Sequence, residues 1–153
     1  MAKATERPAA LRVARTFAAP REKVFGAWTS PEAVRVWFAP PGASWTEPIE
    51  LDARPGGRYR WTVTVGQKVY TIYGTYREVK PPEKLVFTWE WQNDPDRGES
   101  GDSLITVEFH DRGGRTEVVL TQTGFPSDAS REDHAKGWEE CLSSIAKLVG
   151  AER

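Results

Sequence analysis

The sequence predicts an α+β domain in which a curved antiparallel sheet wraps one long C-terminal helix. Three observations carry that prediction. Near the C-terminus, Ala135, Trp138, Leu142, Ile145 and Val149 recur at alternating spacings of three and four residues, the repeat of a single helix face. Upstream lies a succession of short runs with period two, parted by Gly and Pro turn signals, as expected of antiparallel strands with one dry face. The order is strand, two short helices, six strands, long helix. A meander of that length curls as it twists, and its concave face can cover the apolar stripe.

Residues 1–8 are polar and are expected to form a flexible N-terminus, leaving a single domain over residues 9–150. Leu11, Val13, Arg15 and Phe17 alternate with Arg12, Ala14 and Thr16 in a first strand. Pro20 suits the first residue of a helix, since it has no N–H to leave unpaired, and Val24, Phe25 and Trp28 mark that helix's inner face. Thr29-Ser30-Pro31 ends it and caps a second helix, with Val34 and Trp37 turned inward and Pro40-Pro41 as the stop. Trp45, Ile49 and Leu51 then alternate up to Pro55-Gly56-Gly57. Tyr59, Trp61, Val63 and Val65 form the next run; Arg58 and Arg60 have the outward parity of a solvated face. Tyr70, Ile72, Gly74 and Tyr76 lead to Pro81-Pro82, and Leu85, Phe87, Trp89 and Trp91 form the most aromatic run. Residues 93–102 read as a mobile acidic loop, after which Ile105, Val107 and Phe109, then Val118 and Leu120, complete seven strands. The long helix is expected over 130–149, with Ser130 as N-cap, Asp133 three residues on, and Gly150 as its stop.

Composition narrows the function classes. Among 153 residues, Lys plus Arg total 21 against 22 for Asp plus Glu, a net charge of -1. No basic excess points to nucleic acid, and no polybasic block points to a membrane surface. Neither end carries an apolar signal, and no run approaches the roughly 20 apolar residues of a membrane span. Cys141 is the single cysteine, which excludes an internal disulfide and fits a reducing compartment, so the cytoplasm is the expected location. The unusual figure is seven tryptophans.

Several motifs stand in a recognisable order: Arg15-x-Phe17-x-Ala19-Pro20, Val24-Phe25-x-Ala27-Trp28-Thr29-x-Pro31, Trp37, Arg54-Pro55-Gly56-Gly57 and Gly74-x-Tyr76. They continue with Pro82-Glu83-x-Leu85, Thr88-Trp89, Gly124-Phe125 and His134-x-x-Gly137-Trp138. In this order they resemble the activator-of-heat-shock-protein-ATPase-like family of the START-like, or SRPBCC, helix-grip superfamily, over residues 11–149. The resemblance implies a seven-stranded sheet around the long helix, with a cavity between them for an apolar or amphipathic small molecule. Eukaryotic activators of that family carry an additional domain that engages the chaperone. A chain of 153 residues leaves no room for it, which argues against chaperone activation here.

Chemistry-bearing residues are few. His110 and His134 are the only histidines; His134 and Cys141, seven apart on a helix, make a poor metal pair, and no metal or cofactor is expected. His134 belongs to the start of the helix, bonding a neighbouring loop. Cys141 has no cation at helical spacing to lower its pKa and reads as a small buried thiol. Gly56-Gly57 and Gly113-Gly114 are hairpin turns.

By strand parity, Tyr59, Trp61, Tyr70, Tyr76, Phe87, Trp89, Trp91 and Phe109 project onto the concave face opposite Trp138. They either fill the core or line a pocket. Buried indole N–H and phenol O–H groups need partners, and so many in one interior favour aromatic walls around a hollow. Gly137 costs its helix about 1 kcal/mol relative to alanine. It marks either low relief beside Trp138 or the close approach of another element. Two charges share inward parity, Arg15 and Glu47, and are expected to pair across adjacent strands or to orient a ligand.

The candidate ligand-binding residues are therefore Trp37, Trp45, Glu47, Trp61, Tyr70, Tyr76, Trp89, Trp91, Phe109, Trp138, Cys141 and Leu142. The leading expectation is a non-catalytic module that binds a small, ring-containing hydrophobic molecule. A polyketide-cyclase or aromatase type of enzyme, with Glu47 and Tyr70 as its acid–base candidates, is the second reading. A protein-interaction module, as chaperone partner or homodimer, is the third.

Overall fold

The elements run β1 (Leu11–Phe17), α1 (Arg21–Thr29), α2 (Pro31–Trp37), β2 (Ser44–Trp45), β3 (Glu50–Leu51), β4 (Arg58–Val65), β5 (Lys68–Lys80), β6 (Lys84–Thr88), β7 (Glu90–Trp91), β8 (Leu104–Asp111), β9 (Thr116–Thr123) and α3 (Asp128–Val149). This computed structural model describes residues 9–38, 42–92 and 103–150. The expected flexible 1–8 segment, the Pro40-Pro41 stop and the 93–102 loop lie outside the described residues. All pairings are antiparallel, in the order β1-β9-β8-β6-β5-β4-β2, with β3 also on β4 and β7 also on β5. The long helix packs on this curved sheet, which is the helix-grip architecture.

Among the described residues nine strands replace the expected seven, because two runs break. Trp45 faces Val63 on β4, but Glu50 faces Arg60, so two residues too many lie between them for a continuous register. Glu47 and Pro48 are looped out there, and Pro48 has no N–H to give a ladder. The aromatic run breaks between Thr88 and Glu90, although Phe87 opposite Tyr76 and Glu90 opposite Tyr73 keep one register. Here the Thr88 hydroxyl accepts from the Thr75 N–H at 2.8 Å, and its carbonyl accepts from the Tyr59 hydroxyl at 2.5 Å. That close approach explains Gly74: a Cβ built on it would stand 2.2 Å from the Thr88 carbonyl oxygen.

The first break also overturns the expected Arg15–Glu47 pair. β1 and β2 occupy opposite ends of the strand order, and Glu47, outside the ladder, forms a salt bridge with Arg35 of α2 instead. Arg15 keeps its inward parity and donates to the Ser143 hydroxyl of α3 at 2.9 Å.

Two helix starts differ from expectation. Ser127, not Ser130, caps α3, accepting from the Ser130 N–H at 3.0 Å. Pro20 precedes α1 in an extended conformation, and its carbonyl accepts from the Lys23 and Val24 N–H groups. Ser30 caps α2 by accepting from Ala33, with Pro31 at its first position, and Gly150 ends α3.

Leu142, Ile145 and Val149 of α3 are buried, as are Phe17, Leu85, Ile105, Val107, Val118 and Leu120 of the sheet. The helix backbone comes close to β1, α1 and α2, and less so to β4 or β5. That asymmetry decides where space is left.

Candidate functional site

On the β4–β5 side, the gap between α3 and the sheet is bridged by aromatic rings. Five tryptophans close a circuit: Trp28–Trp37 at 4.8 Å between centroids, Trp37–Trp61 at 6.3 Å, Trp61–Trp89 at 6.2 Å, Trp89–Trp138 at 5.0 Å and Trp138–Trp28 at 5.9 Å. All five are buried. Tilted, stacked and edge-on contacts at such distances each add about 0.5–1.5 kcal/mol beyond area burial. They come from α1, α2, β4, the β6–β7 break and α3, so the circuit joins most of the fold.

Two of the indoles are satisfied. Trp37 donates to the Ala27 carbonyl at 2.7 Å, and Trp138 to the Gln122 side-chain oxygen at 2.8 Å, while the Gln122 amide donates to the Ser103 hydroxyl at 3.0 Å. The indole nitrogens of Trp28, Trp61 and Trp89 are buried and have no hydrogen-bond partner among the described residues. Such an orphaned donor costs about 1–3 kcal/mol, and most native structures hold few.

Beside this circuit opens a cleft of about 740 Å³, within the roughly 300–1,000 Å³ span of small-molecule sites. Its aromatic wall is formed by Trp37 and Phe38 at the end of α2, Trp89, Trp91 and Tyr70, with Val63 and Val65 of β4 completing the apolar side. The opposite wall is the polar side of α3, with Asp133, Lys136, Glu140, Ser143, Ser144 and Lys147 around Gly137, Trp138 and Cys141. A Cβ on Gly137 would meet nothing within 4 Å, so the glycine does not serve a close approach and leaves the wall low at that point. A smaller concavity of about 360 Å³ over the β3–β4 turn is lined by Asp52, Arg54, Arg58 and neighbours and has no aromatic wall.

His134 closes one end of the cleft. The Trp91 indole donates to its Nε2 at 2.9 Å, which leaves Nδ1 as the protonated nitrogen, donating to the Ser130 carbonyl at 2.8 Å. His134 thus sits in the helix's second turn and ties it to β7, rather than to a loop as expected. Tyr70 packs edge-on against Trp91 at 6.1 Å. Burial pushes the Cys141 thiol up to about 12, with Glu140 adding to the shift, which favours the neutral thiol at this wall. Burial likewise raises the phenols of Tyr59 and Tyr76, which lie in the core. Among the described residues no cluster of His, Cys, Asp and Glu could hold a metal.

Six of the expected residues line the cleft: Trp37, Tyr70, Trp89, Trp91, Trp138 and Cys141. Trp61, Tyr76, Phe109 and Leu142 are buried in the core instead, Trp45 packs against Phe38, and Glu47 is half exposed beside Arg35. The sequence reading missed Phe38, His134 and the polar face of α3. Phe38 follows the last helical residue, where periodicity no longer assigns a face. The α3 polar residues look like any solvated helix face until something is seen across from them.

Comparison with known proteins agrees with this architecture. A family model described as Activator of Hsp90 ATPase homolog 1-like protein matches residues 18–150. A crystal structure of a Chromobacterium violaceum protein is 27% identical, with a TM-score of 0.82, covering 94% of this chain and 98% of its own. The AHSA1 protein of Silicibacter pomeroyi is 26% identical, with a TM-score of 0.79 and coverage of 92% and 96%. A Rhizobium leguminosarum protein is 29% identical, with a TM-score of 0.75 and coverage of 92% and 93%. No curated protein matches the sequence.

Proposed function

This chain belongs to the Activator of Hsp90 ATPase homolog 1-like family, and on that premise we propose that it is a non-catalytic binding module for a small amphipathic, ring-bearing molecule held between α3 and the sheet. Family and fold support a ligand-binding or partner-interaction module in general. The observation that carries the narrower reading is the cleft itself: about 740 Å³, aromatic on one wall and polar on the other. An apolar ring stacks on Trp89, Trp91 or Trp138, while a polar substituent stays against the helix face.

The enzyme reading keeps only part of its machinery at this place. Tyr70 lines the cleft, but Glu47, its proposed acid–base partner, does not and is held by Arg35. Binding therefore accounts for more of the site than turnover does.

The test uses 1-anilinonaphthalene-8-sulfonate as probe. Titration should quench tryptophan emission saturably, and Gly137→Phe, which grows into open space, should abolish the response with the circular dichroism spectrum unchanged. A response that Gly137→Phe leaves intact places the probe elsewhere and defeats the proposal, as does no quenching at all.

A further inference from the structure

The orphaned indoles and the cleft meet at one side chain. Trp61 and Trp89 each carry a buried N–H without an acceptor among the described residues. Phe38 lies against both, its ring centroid 5.2 Å from Trp61 and 6.0 Å from Trp89. It is only partly buried, lines the cleft, and stands at the C-cap of α2, where the regular helix has ended. The two tryptophans themselves are 3% and 2% exposed, so their donors are closed off from the cleft as it stands.

Two indoles with unpartnered buried donors, both packed against one ring at the rim of a cavity, have the makings of a recognition element. We propose that Phe38 is a stopper over an inner subsite, and that the molecule bound in the cleft carries a carbonyl or carboxylate oxygen on an aromatic ring. The ring takes the place of Phe38, and the oxygen accepts from the indole N–H of Trp89 or Trp61. This rests on the binding reading above and adds to it the chemical class of the ligand. A buried donor gains most from an acceptor that arrives where water does not, so the subsite selects for the oxygen and not only for the ring. The cleft side of α3, with Lys136 and Lys147 among its residues, accommodates the remaining polar part of such a molecule.

The experiment compares two probes of nearly equal shape, 2-acetonaphthone and 2-ethylnaphthalene, with the uniformly ¹⁵N-labelled full chain. Indole N–H resonances are assigned by single Trp→Phe variants, and affinities are read from tryptophan quenching. The ketone should bind at least about fivefold more tightly, the ratio expected of one hydrogen bond. It alone should move the Trp89 or Trp61 indole proton downfield. Trp89→Phe and Trp61→Phe should between them erase the preference, and Phe38→Ala should tighten ketone binding by opening the subsite. If the two probes bind equally and no indole proton moves with the ketone, the subsite is refuted while the cleft stands. If neither probe binds, both this inference and the binding reading fall.

Discussion

The two sides of α3 meet the sheet differently. On the β1 side Leu142, Ile145 and Val149, buried to the last few per cent, belong to one core with aliphatic residues such as Val13, Val118 and Leu120, and the backbone of α3 lies close to β1. On the β4–β5 side Trp138 reaches Trp28 and Trp89, three nearby indole donors lack acceptors among the described residues, and a cleft runs along α3 from Asp133 to Lys147. One helix on one sheet thus has a close-packed half and a hollow half. Branched aliphatic side chains interdigitate and draw the backbones together, whereas stacked indoles are rigid plates that span a wider gap but cannot fill it evenly. Stability and binding capacity are divided between the halves accordingly.

The contrast is broken most severely on the closed side. Ile145→Ala should cost about 2–5 kcal/mol, because its side chain is fully buried and the surroundings can relax only in part. Chemical denaturation reads this directly, and a cost below about 1 kcal/mol would mean that the closed half is as loose as the open one. A pH series probes the boundary between the halves. Folding holds the Cys141 thiol neutral, up to about 12 against its ordinary 9.0, so the unfolded chain loses that proton first. Stability from this group is intact below about pH 9 and declines as pH rises toward 12, by up to about 1.4 kcal/mol per unit. The raised phenols of Tyr59 and Tyr76 add to the same decline above pH 10. Cys141→Ala should make the decline shallower, and an unchanged slope would show the thiol to be in contact with water. The smallest effect belongs to the open side: Gly137→Ala should raise stability by up to about 1 kcal/mol, since the added methyl meets nothing and the helix gains. A loss of stability there would mean that the low wall is occupied in the folded protein.

Much of the architecture was legible before any coordinates. Period-two runs such as Tyr59-Trp61-Val63 placed their side chains on the concave face, and the stripe from Trp138 to Val149 is the buried face of α3. The strand breaks were not legible, since alternation from Trp45 to Leu51 looks continuous while Glu47 and Pro48 are looped out. Ser127 was within reach: it follows Pro126 and precedes Asp128, which is as good a cap signal as Ser130 offers. The site was half legible. Parity correctly brought aromatic residues to one face, but parity cannot separate Trp89, on the wall, from Trp61, behind Phe38.

By itself the sequence determined which residues alternate, where turns interrupt them and which stripe of the last helix must be covered, because these depend on local periodicity and on the aversion of apolar groups to water. Only the tertiary structure decided which indoles found acceptors, that Glu47 would turn to Arg35, and that open space would remain beside Gly137. Those outcomes depend on the distance between helix and sheet, set jointly by side chains from α1, α2, β4 and α3, and no single segment carries that distance.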